Sequence, residues 1–565
     1  MVYPWTFKVS DSGDPQAPSG PIVTREPTAT GTRGGTAPSR ARLSPSSAGR
    51  SPALTSISGA VSTCLLIFLG ACATPAVPVV QSTGIDPWIG HAQLVPRSFS
   101  TPPLDQEPPT VATDDPSIPL PSPTPDAPRP TPSIRSESLI YVVQPGDSLG
   151  RIAARFAVGP QSILAANGLG NPNVLSVGQV LTIPPQVLDP PGPSNKILPD
   201  SELVYGPANA DFEATGFAAQ WPSYLGAYSE EVEGRVRRGP EIVQLVAQRY
   251  SVNPRVLLAV LEERSGWVTS GQVPASDRTY PMGYVRAGWE GLFSQLSWAA
   301  DILNSGYYLW RAGWNGPYTL EDGATVIPGS GLNAGTVSLQ FLFAQWDSSE
   351  AWRRRLALES FPLLYTSLFG SPFRRGVEPL VPDQLLQPVF QLPIEDGTTW
   401  SFTSGPHAGW GSGAAWAALD FAPPGDALGC VYSLEWVTAV ADGLIVRSDN
   451  GEVLQDLDGD GFEGTGWVVL YMHVAEDDRI GEGEYVQSGD RIGHPSCEGG
   501  ISNGTHVHLA RRYNGEWIPA DGILPFVMDG WVSAGEGTEY DGTMTRGDVV
   551  LEACGCRAAG NQISR

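Results

Sequence analysis

The stretch Asn503-Gly504-Thr505-His506-Val507-His508-Leu509 contains two histidines separated by a single residue. In a β-strand, side chains two positions apart point to the same face, so a strand here would hold two imidazoles side by side. The protein has six histidines, and all except His91 lie between His407 and His508. Because neutral imidazole is the commonest metal ligand, we predict that the pair forms one wall of a zinc site. The alternative is two surface histidines brought together by chance.

Around this pair, from about residue 395 onward, short apolar runs alternate with Gly-rich turns. Closely spaced strands with turn signals between them indicate an antiparallel all-β domain, which we place at 395–530. Three stretches of it stand out: Gly405-Pro406-His407 with Leu419-Asp420-Phe421, then Tyr471-Met472-His473, and finally His506-Val507-His508. Together they resemble the lysostaphin/β-lytic class of peptidoglycan endopeptidases, a family of zinc metallopeptidases.

The resemblance implies that His407, Asp420 and His508 bind zinc, which leaves one coordination position open for water. It also implies that His473 and His506 serve as general base and transition-state stabiliser. The commoner form of the family has its first histidine four residues before the aspartate, where this chain has Trp416. The β-lytic branch resembles this chain in having a longer loop, and we therefore assign His407. The alternative is a degenerate domain that has lost its metal. His494 is expected to lie outside the ligand set.

Asp456, Asp458 and Asp460 alternate along the chain in the pattern of a calcium-binding loop. The twelfth position of such a loop is Trp467 instead of glutamate, although Glu463 is a candidate substitute. The alternative is a solvated hairpin tip. We also predict a disulfide between Cys430 and Cys497 on the basis of export, whereas Cys554 and Cys556 are expected to be too close to pair with each other.

Residues 139–185 read as strand, helix, helix and strand, with a turn at Gln144–Ser148. The stretches VQPGDSL, ANGL and VGQVLTIPP resemble the LysM module. This resemblance implies binding to glycans that contain N-acetylglucosamine, such as peptidoglycan. The alternative is a small spacer that binds nothing.

The first part of the chain indicates export. Residues 1–52 lack apolar periodicity and are expected to be disordered. Residues 53–72 have the apolar core of a secretory signal, and Leu69-Gly70-Ala71-Cys72 resembles the bacterial lipobox, in which Cys72 would be lipidated. A transmembrane anchor is the alternative. Residues 73–138 are rich in proline and are expected to be an extended linker.

Between the two recognisable modules we expect a linker at 186–232 and a helical domain at 233–385, followed at the other end of the chain by a C-terminal extension at 531–565. The stretch VNPRVLLAVLEERSGW distantly resembles lysozyme-type transglycosylases, but Arg264 occupies the position of their general acid. Arginine cannot donate a proton in this pH range, and we therefore expect a degenerate domain that supports or binds. The alternative is that Glu263 acts as a relocated acid.

The chain has 565 residues and a formal net charge of −25, with no basic stripe in its folded-looking part. Nucleic acid is therefore excluded as a partner. The sequence predicts an exported zinc endopeptidase of the cell envelope, anchored by lipid to the outer face of the cytoplasmic membrane and bound to peptidoglycan. The alternative is an inactive wall-binding scaffold or an activator of another hydrolase.

Overall fold

A computed structural model describes residues 135–565, except 145–146, 157, 172–174, 187–189, 315 and 330. The expected disordered segment 1–52, the signal segment with Cys72 and almost all of the 73–138 linker lie outside the described residues. Among the helices of the described part, none is both long and apolar enough to cross a membrane.

The LysM-like segment forms the expected βααβ unit. Its elements are β1 (Leu139–Val142), α1 (Leu149–Phe156), α2 (Pro160–Asn167) and β2 (Val180–Ile183). The two strands pair in antiparallel fashion, with Leu139 opposite Ile183. The Asn167 side chain bonds the backbone of Ile163 and Thr182, which ties α2 to β2 around a small separate core.

The middle region is mainly helical, as expected. Its elements are α3 (Asp200–Leu203), α4 (Ala214–Ala218), α5 (Tyr224–Ala227), β3 (Ser229–Val232), β4 (Arg235–Arg238), α6 (Gly239–Tyr250), α7 (Pro254–Ser265), α8 (Ala275–Thr279), α9 (Leu292–Arg311), β5 (Tyr318–Thr319), β6 (Thr325–Val326), α10 (Ala334–Ala344), α11 (Ser349–Arg355) and α12 (Phe361–Phe369). Asn253 caps α7 by accepting a hydrogen bond from the Arg255 amide, and Pro254 fills its first turn. The break between α6 and α7 thus falls at Asn253-Pro254.

The segment 186–232 is not the linker that its composition suggested. It contributes α3 to α5 and β3, and Leu198, Leu203 and Val204 are buried in the main core. Glu202 is buried and accepts hydrogen bonds from Tyr365 and Arg375, far along the chain. Helices of four or five residues are too short to show an apolar period, which explains the wrong prediction.

The helical domain therefore begins earlier than residue 233. Near its end, the chain leaves the helical path after Arg355 and forms a separate helix, α12, with Pro362 in its first turn.

The last part of the chain is an antiparallel β domain. Its strands are β7 (Thr399–His407), β8 (Ala418–Ala422), β9 (Val437–Thr438), β10 (Gly443–Asp449), β11 (Glu452–Asp456), β12 (Trp467–Met472), β13 (Tyr485–Val486), β14 (Arg491–Gly493), β15 (Val507–Tyr513), β16 (Glu516–Trp517), β17 (Val527–Met528), β18 (Trp531–Gly535), β19 (Gly542–Arg546), β20 (Val549–Glu552) and β21 (Gln562–Ser564). Nine of them form one sheet in the order β13-β10-β11-β12-β15-β8-β7-β21, with β16 on β15.

The two faces of this sheet bury different cores. Val507 and Leu509 of β15 point into a core confined to the β domain. Ala510 of β15 and Leu470 of β12 point the other way and join the core of the helical domain. Because alternate residues of a strand share a face, His508 lies on the side of Ala510, toward the helical domain.

The expected C-terminal extension, 531–565, is an integral part of the β domain. β18, β19 and β20 continue from β17 in a second sheet, and β21 pairs with β7. Trp531, Met544 and Ile563 are buried in the β-domain core. These strands have only three to five residues and carry polar side chains on one face. The sequence therefore shows no apolar alternation that would have assigned them to the β domain.

Two disulfides are present in the described residues. Cys430 pairs with Cys497, as predicted, with 5.7 Å between Cα atoms. Cys554 pairs with Cys556, contrary to our expectation, with 5.0 Å between Cα atoms. The amide of Cys556 bonds the carbonyl of Cys554, and this tight turn gives a Cα separation that a disulfide can span.

Candidate metal centre

Three neighbouring strands carry the residues assigned as metal ligands. His407 ends β7, Asp420 lies in β8, and His508 lies near the start of β15. His508 stands directly opposite Asp420 in the ladder, and His407 stands opposite Ala418. The antiparallel register thus brings together side chains that are up to 101 residues apart.

The donor atoms of these residues converge. The Nε2 atom of His407 is 3.2 Å from Oδ1 of Asp420, and Nδ1 of His508 is 3.3 Å from the same oxygen. The two nitrogens are 2.9 Å apart. Each residue offers one ligand atom, and all three atoms lie within 4.8 Å of one another.

The hydrogen bonds outside this triad determine which atoms face inward. His407 bonds the Gly405 carbonyl through Nδ1 at 2.9 Å, and His508 bonds the Gly409 carbonyl through Nε2 at 3.2 Å. A carbonyl only accepts, so the neutral rings donate outward and turn their lone pairs toward Asp420. Oδ1 of Asp420 is buried and has no hydrogen-bond partner among the described residues. When both rings are neutral, three lone pairs converge and repel one another, and a divalent cation would remove that repulsion.

The charges of Asp420 and the surrounding histidines shift one another's pKa values. Burial opposes ionisation of Asp420, but His407 and His506 hold the pKa of this carboxyl well below its usual range. Burial lowers the pKa of His407, but the charge of Asp420, the hydrogen bonds to Asp420 and Gly405, and the charge of Glu539 together outweigh burial and raise that pKa above the ordinary value. Burial lowers the pKa of His508. Two imidazoles and one carboxylate suit a zinc ion with three protein ligands.

His473 and His506 lie beside the triad, with 4.6 Å between their ring centroids. His506 bonds the Gly504 carbonyl through Nδ1, and its Nε2 is 3.7 Å from Oδ1 of Asp420. His473 follows β12 with a φ of 67° and bonds the Glu498 carbonyl through Nδ1. Burial, and then the nearby His506 and His508, lower the pKa of His473 to about 4. His473 is therefore neutral at ordinary pH.

Sequence reasoning missed Tyr540 altogether. Its ring stacks on His407, with 4.7 Å between centroids and 24° between planes. Tyr540 follows an acidic, Gly-rich turn in the part of the chain that we expected to be an extension, and no motif marks it. Gly409 was also missed; a side chain there would collide with Trp517, so only glycine lets the carbonyl reach His508.

His494 lies outside the triad, as expected. It is buried, bonds the Glu435 carbonyl and packs on Trp436 with 3.9 Å between ring centroids.

The three aspartates of the acidic loop do lie close together. Their oxygens accept hydrogen bonds from the loop's own amides, such as those of Gly461 and Phe462, as in a solvated hairpin tip. Burial, followed by the neighbouring Asp458, raises the pKa of Asp456 to about 6. Glu463 is not free to complete a calcium site, because Arg447 and Arg512 bind it. Calcium therefore stays a prediction from the sequence.

Glu263, the candidate relocated acid of the helical domain, is bound by Arg355 at 2.5 Å. Burial raises its pKa, and Arg355 opposes that shift. The same arginine also binds Asp347. Glu263 is thus part of an ion-pair cluster that holds α7 to α11.

A cleft of about 310 Å³ takes walls from both domains. Gly500, in its lining, lies next to His473, because a Cβ atom on Gly500 would be 3.5 Å from that ring. The cleft is lined by Glu233, Arg249, Tyr250, Gly288, Trp289, Phe293, Ser294, Ser297, Trp410, Asn450 and Gly500.

Comparison with known proteins gives two family matches. Residues 141–184 match the LysM domain, and residues 196–382 match the N-terminal domain of LasA. The second match covers the region that we expected to contain a linker and a lysozyme-like domain.

Two curated relatives are similar to this chain. Protease LasA of Pseudomonas aeruginosa strain UCBPP-PA14 is 25% identical over 293 residues, and the same protein of strain PAO1 gives the same identity over the same length. The alignment covers 48% of this chain and 66% of each relative, which is just under two thirds of their length.

Solved structures of peptidases also resemble part of the chain. An M23 metalloprotease from the deep sea, pseudoalterin, is 23% identical and covers 30% of this chain and 96% of its own, with a TM-score of 0.25. The catalytic domain of lysostaphin from Staphylococcus simulans is 20% identical and covers 22% and 89%, with a TM-score of 0.16. Such TM-scores are too low to transfer residue roles to this chain. The family match and the curated relatives confirm the recognition made from the sequence: the chain carries a LysM domain at 141–184, and 293 of its residues are 25% identical to protease LasA.

Proposed function

We propose that this protein is an exported zinc endopeptidase that hydrolyses peptide bonds of peptidoglycan. The observation that carries the proposal is the convergence of His407 Nε2, Asp420 Oδ1 and His508 Nδ1, with a buried carboxylate oxygen that has no hydrogen-bond partner in the described part of the chain. The similarity to a protease supports it.

In this proposal His407, Asp420 and His508 hold the zinc ion. When bound, zinc would supply Lewis acidity, which polarises a carbonyl and lowers the pKa of water to about 7. The outward hydrogen bonds to Gly405 and Gly409 fix the two imidazoles in the tautomer that this task requires.

The remaining two histidines handle protons and charge. His473 donates Nδ1–H to the Glu498 carbonyl, so its neutral Nε2 has a lone pair that can accept a proton and pass it to the leaving amine. His506 donates Nδ1–H to Gly504 in the same way. Its position next to Asp420 suits it to stabilise charge that develops during the reaction.

The LysM domain supports a wall substrate. We propose that it binds glycan while the β domain reaches the attached peptides, which raises the local substrate concentration. We also propose that Cys72 is lipidated and holds the protein at the outer face of the cytoplasmic membrane, with residues 73–138 as spacer. Replacing Cys72 with Ser should then release the protein from the membrane fraction.

The proposal is tested by His508→Ala and Asp420→Ala. Each removes one donor of the triad, and we expect the zinc content of the purified protein to fall from one ion per chain to near zero. Release of peptide fragments from purified walls, followed by mass spectrometry, should be lost in both variants.

His494→Ala is the matched control, since it removes another buried histidine of the same domain. It should keep zinc and cleavage. The proposal would be contradicted if His508→Ala or Asp420→Ala still cleaved wall peptides while containing no zinc. Wild-type protein that binds walls but contains no zinc would favour the scaffold function instead.

A further inference from the structure

One loop connects two of the three proposed ligands and touches the third. We define it as the ligand loop, residues 408–417, which joins His407 at the end of β7 to β8 with Asp420. Its Gly409 carbonyl lies 3.2 Å from Nε2 of His508. The position of this loop therefore affects the orientation of the whole triad.

One carboxylate of α9 binds the ligand loop directly, next to the packing of Trp410 on Tyr250 of α6. Oδ1 of Asp301, in α9, accepts hydrogen bonds from the amides of Ser412 and Gly413, both at 2.8 Å. Oδ2 of Asp301 accepts a hydrogen bond from the Ser412 hydroxyl at 2.5 Å. Hydrogen bonds to an ionised acceptor are stronger than those between neutral groups.

The loop also fits α9 closely. A Cβ atom on Gly413 would overlap the backbone oxygen of Asp301 and the side chain of Ser305. A Cβ atom on Gly411 would overlap the carboxylate of Asp301, and Gly411 has a φ of 63°. Two glycines thus allow an approach that other residues would prevent.

We propose that Asp301 is a positioning residue for the metal centre. By holding Ser412 and Gly413, it keeps Gly409 against His508 and so keeps the imidazole turned toward Asp420. The helical domain is then a working part of the candidate site. This inference rests on the proposed function, because it concerns the affinity of the triad for zinc.

The test measures the zinc dissociation constant by competition with a metal-binding dye, in the full chain. Asp301→Ala should weaken zinc binding roughly ten-fold, the lower end of what loss of an outer partner of a ligand costs. Gly413→Ala disturbs the same contact from the loop side and should have a similar effect. Asp301→Asn keeps one oxygen acceptor and should restore most of the affinity.

The matched control is Arg235→Ala. It breaks an exposed ion pair with Asp449, at 3.1 Å, which also joins the helical region to the β domain but lies away from the ligand loop. Its zinc affinity should equal that of the wild type. Thermal unfolding of every variant checks that the fold is retained.

Ser412→Ala gives a mild second variant. Ser412 is exposed, so the change does not threaten folding, and removal of one of three hydrogen bonds should weaken zinc binding about two-fold. It decides the case if Asp301→Ala does not fold.

The outcomes separate this inference from the proposed function. Wild-type protein that binds no zinc would overturn both. If Asp301→Ala and Ser412→Ala both bind zinc as tightly as the wild type, the role of Asp301 is overturned and the proposed function stands. If Asp301→Ala also gains activity, the contact restrains the loop instead of supporting it.

Discussion

Each histidine of the candidate centre uses one ring nitrogen to bond a backbone carbonyl. The partners are Gly405 for His407, Glu498 for His473, Gly504 for His506 and Gly409 for His508. A lone histidine on a strand can rotate about two side-chain torsions, whereas these rings are restrained by the main chain. The chemistry of each residue is therefore set by the backbone around it.

Tyr540 gives the first prediction at this scale. Its ring packs on His407, and an aromatic pair contributes roughly 0.5–1.5 kcal/mol beyond burial. Tyr540→Ala should weaken zinc binding about three- to ten-fold, because His407 loses the aromatic ring that stacks on it. Tyr540→Phe keeps that ring and should keep the affinity. Both dissociation constants are measured by competition titration. Equal loss in the two variants would mean that the hydroxyl, and not stacking, matters.

His473 gives a prediction on pH. Its pKa is about 4 in the folded protein, against about 6.5 in the unfolded chain, so the unfolded state binds the proton more readily. The contribution of neutral His473 to stability is present above pH 6.5 and is lost as the pH falls from about 6.5 toward 4. The loss is about 3 kcal/mol at most.

His473→Asn is the variant for this test, because asparagine tolerates the positive φ at this position. The drop in melting temperature between pH 7 and pH 5 should be smaller in the variant than in the wild type. An unchanged drop would assign the acid sensitivity to other groups.

At the scale of single residues, the sequence singled out three side chains that lie close together, because the motifs of the resembled family contain them. The structure places His407, Asp420 and His508 together, and the register of β8 and β15 explains how. Tyr540 and Asp301 could not be found this way, since nothing in their local sequence marks them. They are adjacent to the triad only through contacts between residues more than 100 positions apart.

Among the elements, the loop between β14 and β15, which ends at His506, is joined to the loop between β8 and β9 by a disulfide. Cys430 and Cys497 close a loop with a sequence separation of 67 residues. Next to this disulfide, the Thr505 hydroxyl donates to the Val431 carbonyl, and the Thr505 amide bonds Gly429. The disulfide thus belongs to the framework that places His506.

Removing this disulfide should therefore destabilise the protein. In the chain-entropy account, a loop of this length contributes about 4 kcal/mol. The double change Cys430→Ser with Cys497→Ser should lower the melting temperature measured by calorimetry. The matched control is Cys554→Ser with Cys556→Ser, whose loop spans only two residues and should have a much smaller effect. Equal shifts would contradict the prediction.

Elements were predictable where their period was long enough. α6, α7 and α9 show apolar residues at helical spacing, and the strands around His473 and His508 alternate with clear turns between them. The short helices between 200 and 227 and the strands after residue 531 do not repeat often enough to reveal a period. Their burial comes from contacts with distant elements.

Across the whole molecule, charged side chains connect the helical domain to the β sheet. Arg249 of α6 bonds Glu452 of β11 at 2.6 Å, and both side chains are almost fully buried. Arg447 bonds Glu452 and Glu463, and Arg512 also bonds Glu463. Buried charges are tolerated only when they are paired, so this network requires both domains to be present.

Glu452→Gln should accordingly destabilise the molecule. The substitution keeps the shape of the side chain but leaves Arg249 and Arg447 with less negative charge, and breaking a buried pair costs about 3–5 kcal/mol. The melting temperature should fall by several degrees. Glu350→Gln, in the exposed pair with Arg354, is the control and should leave it unchanged. If Glu452→Gln leaves the melting temperature unchanged, water must reach the network and solvate its charges.

The architecture of the whole chain was only partly readable from the sequence. The LysM segment and the β domain could be predicted because motifs mark them. The packing of the helical domain on the sheet face that carries His508 could not, since Leu454, Leu470 and Ala510 look like ordinary core residues in either direction. Which face of a buried strand meets which partner is determined only in the assembled fold.

The carbonyl bonds of the four histidines have a consequence for the protein without its metal. Because Gly405 and Gly409 hold the rings of His407 and His508 from outside, the empty triad would keep its shape when a chelator strips the ion. Zinc added afterwards should then bind again without any refolding of the protein.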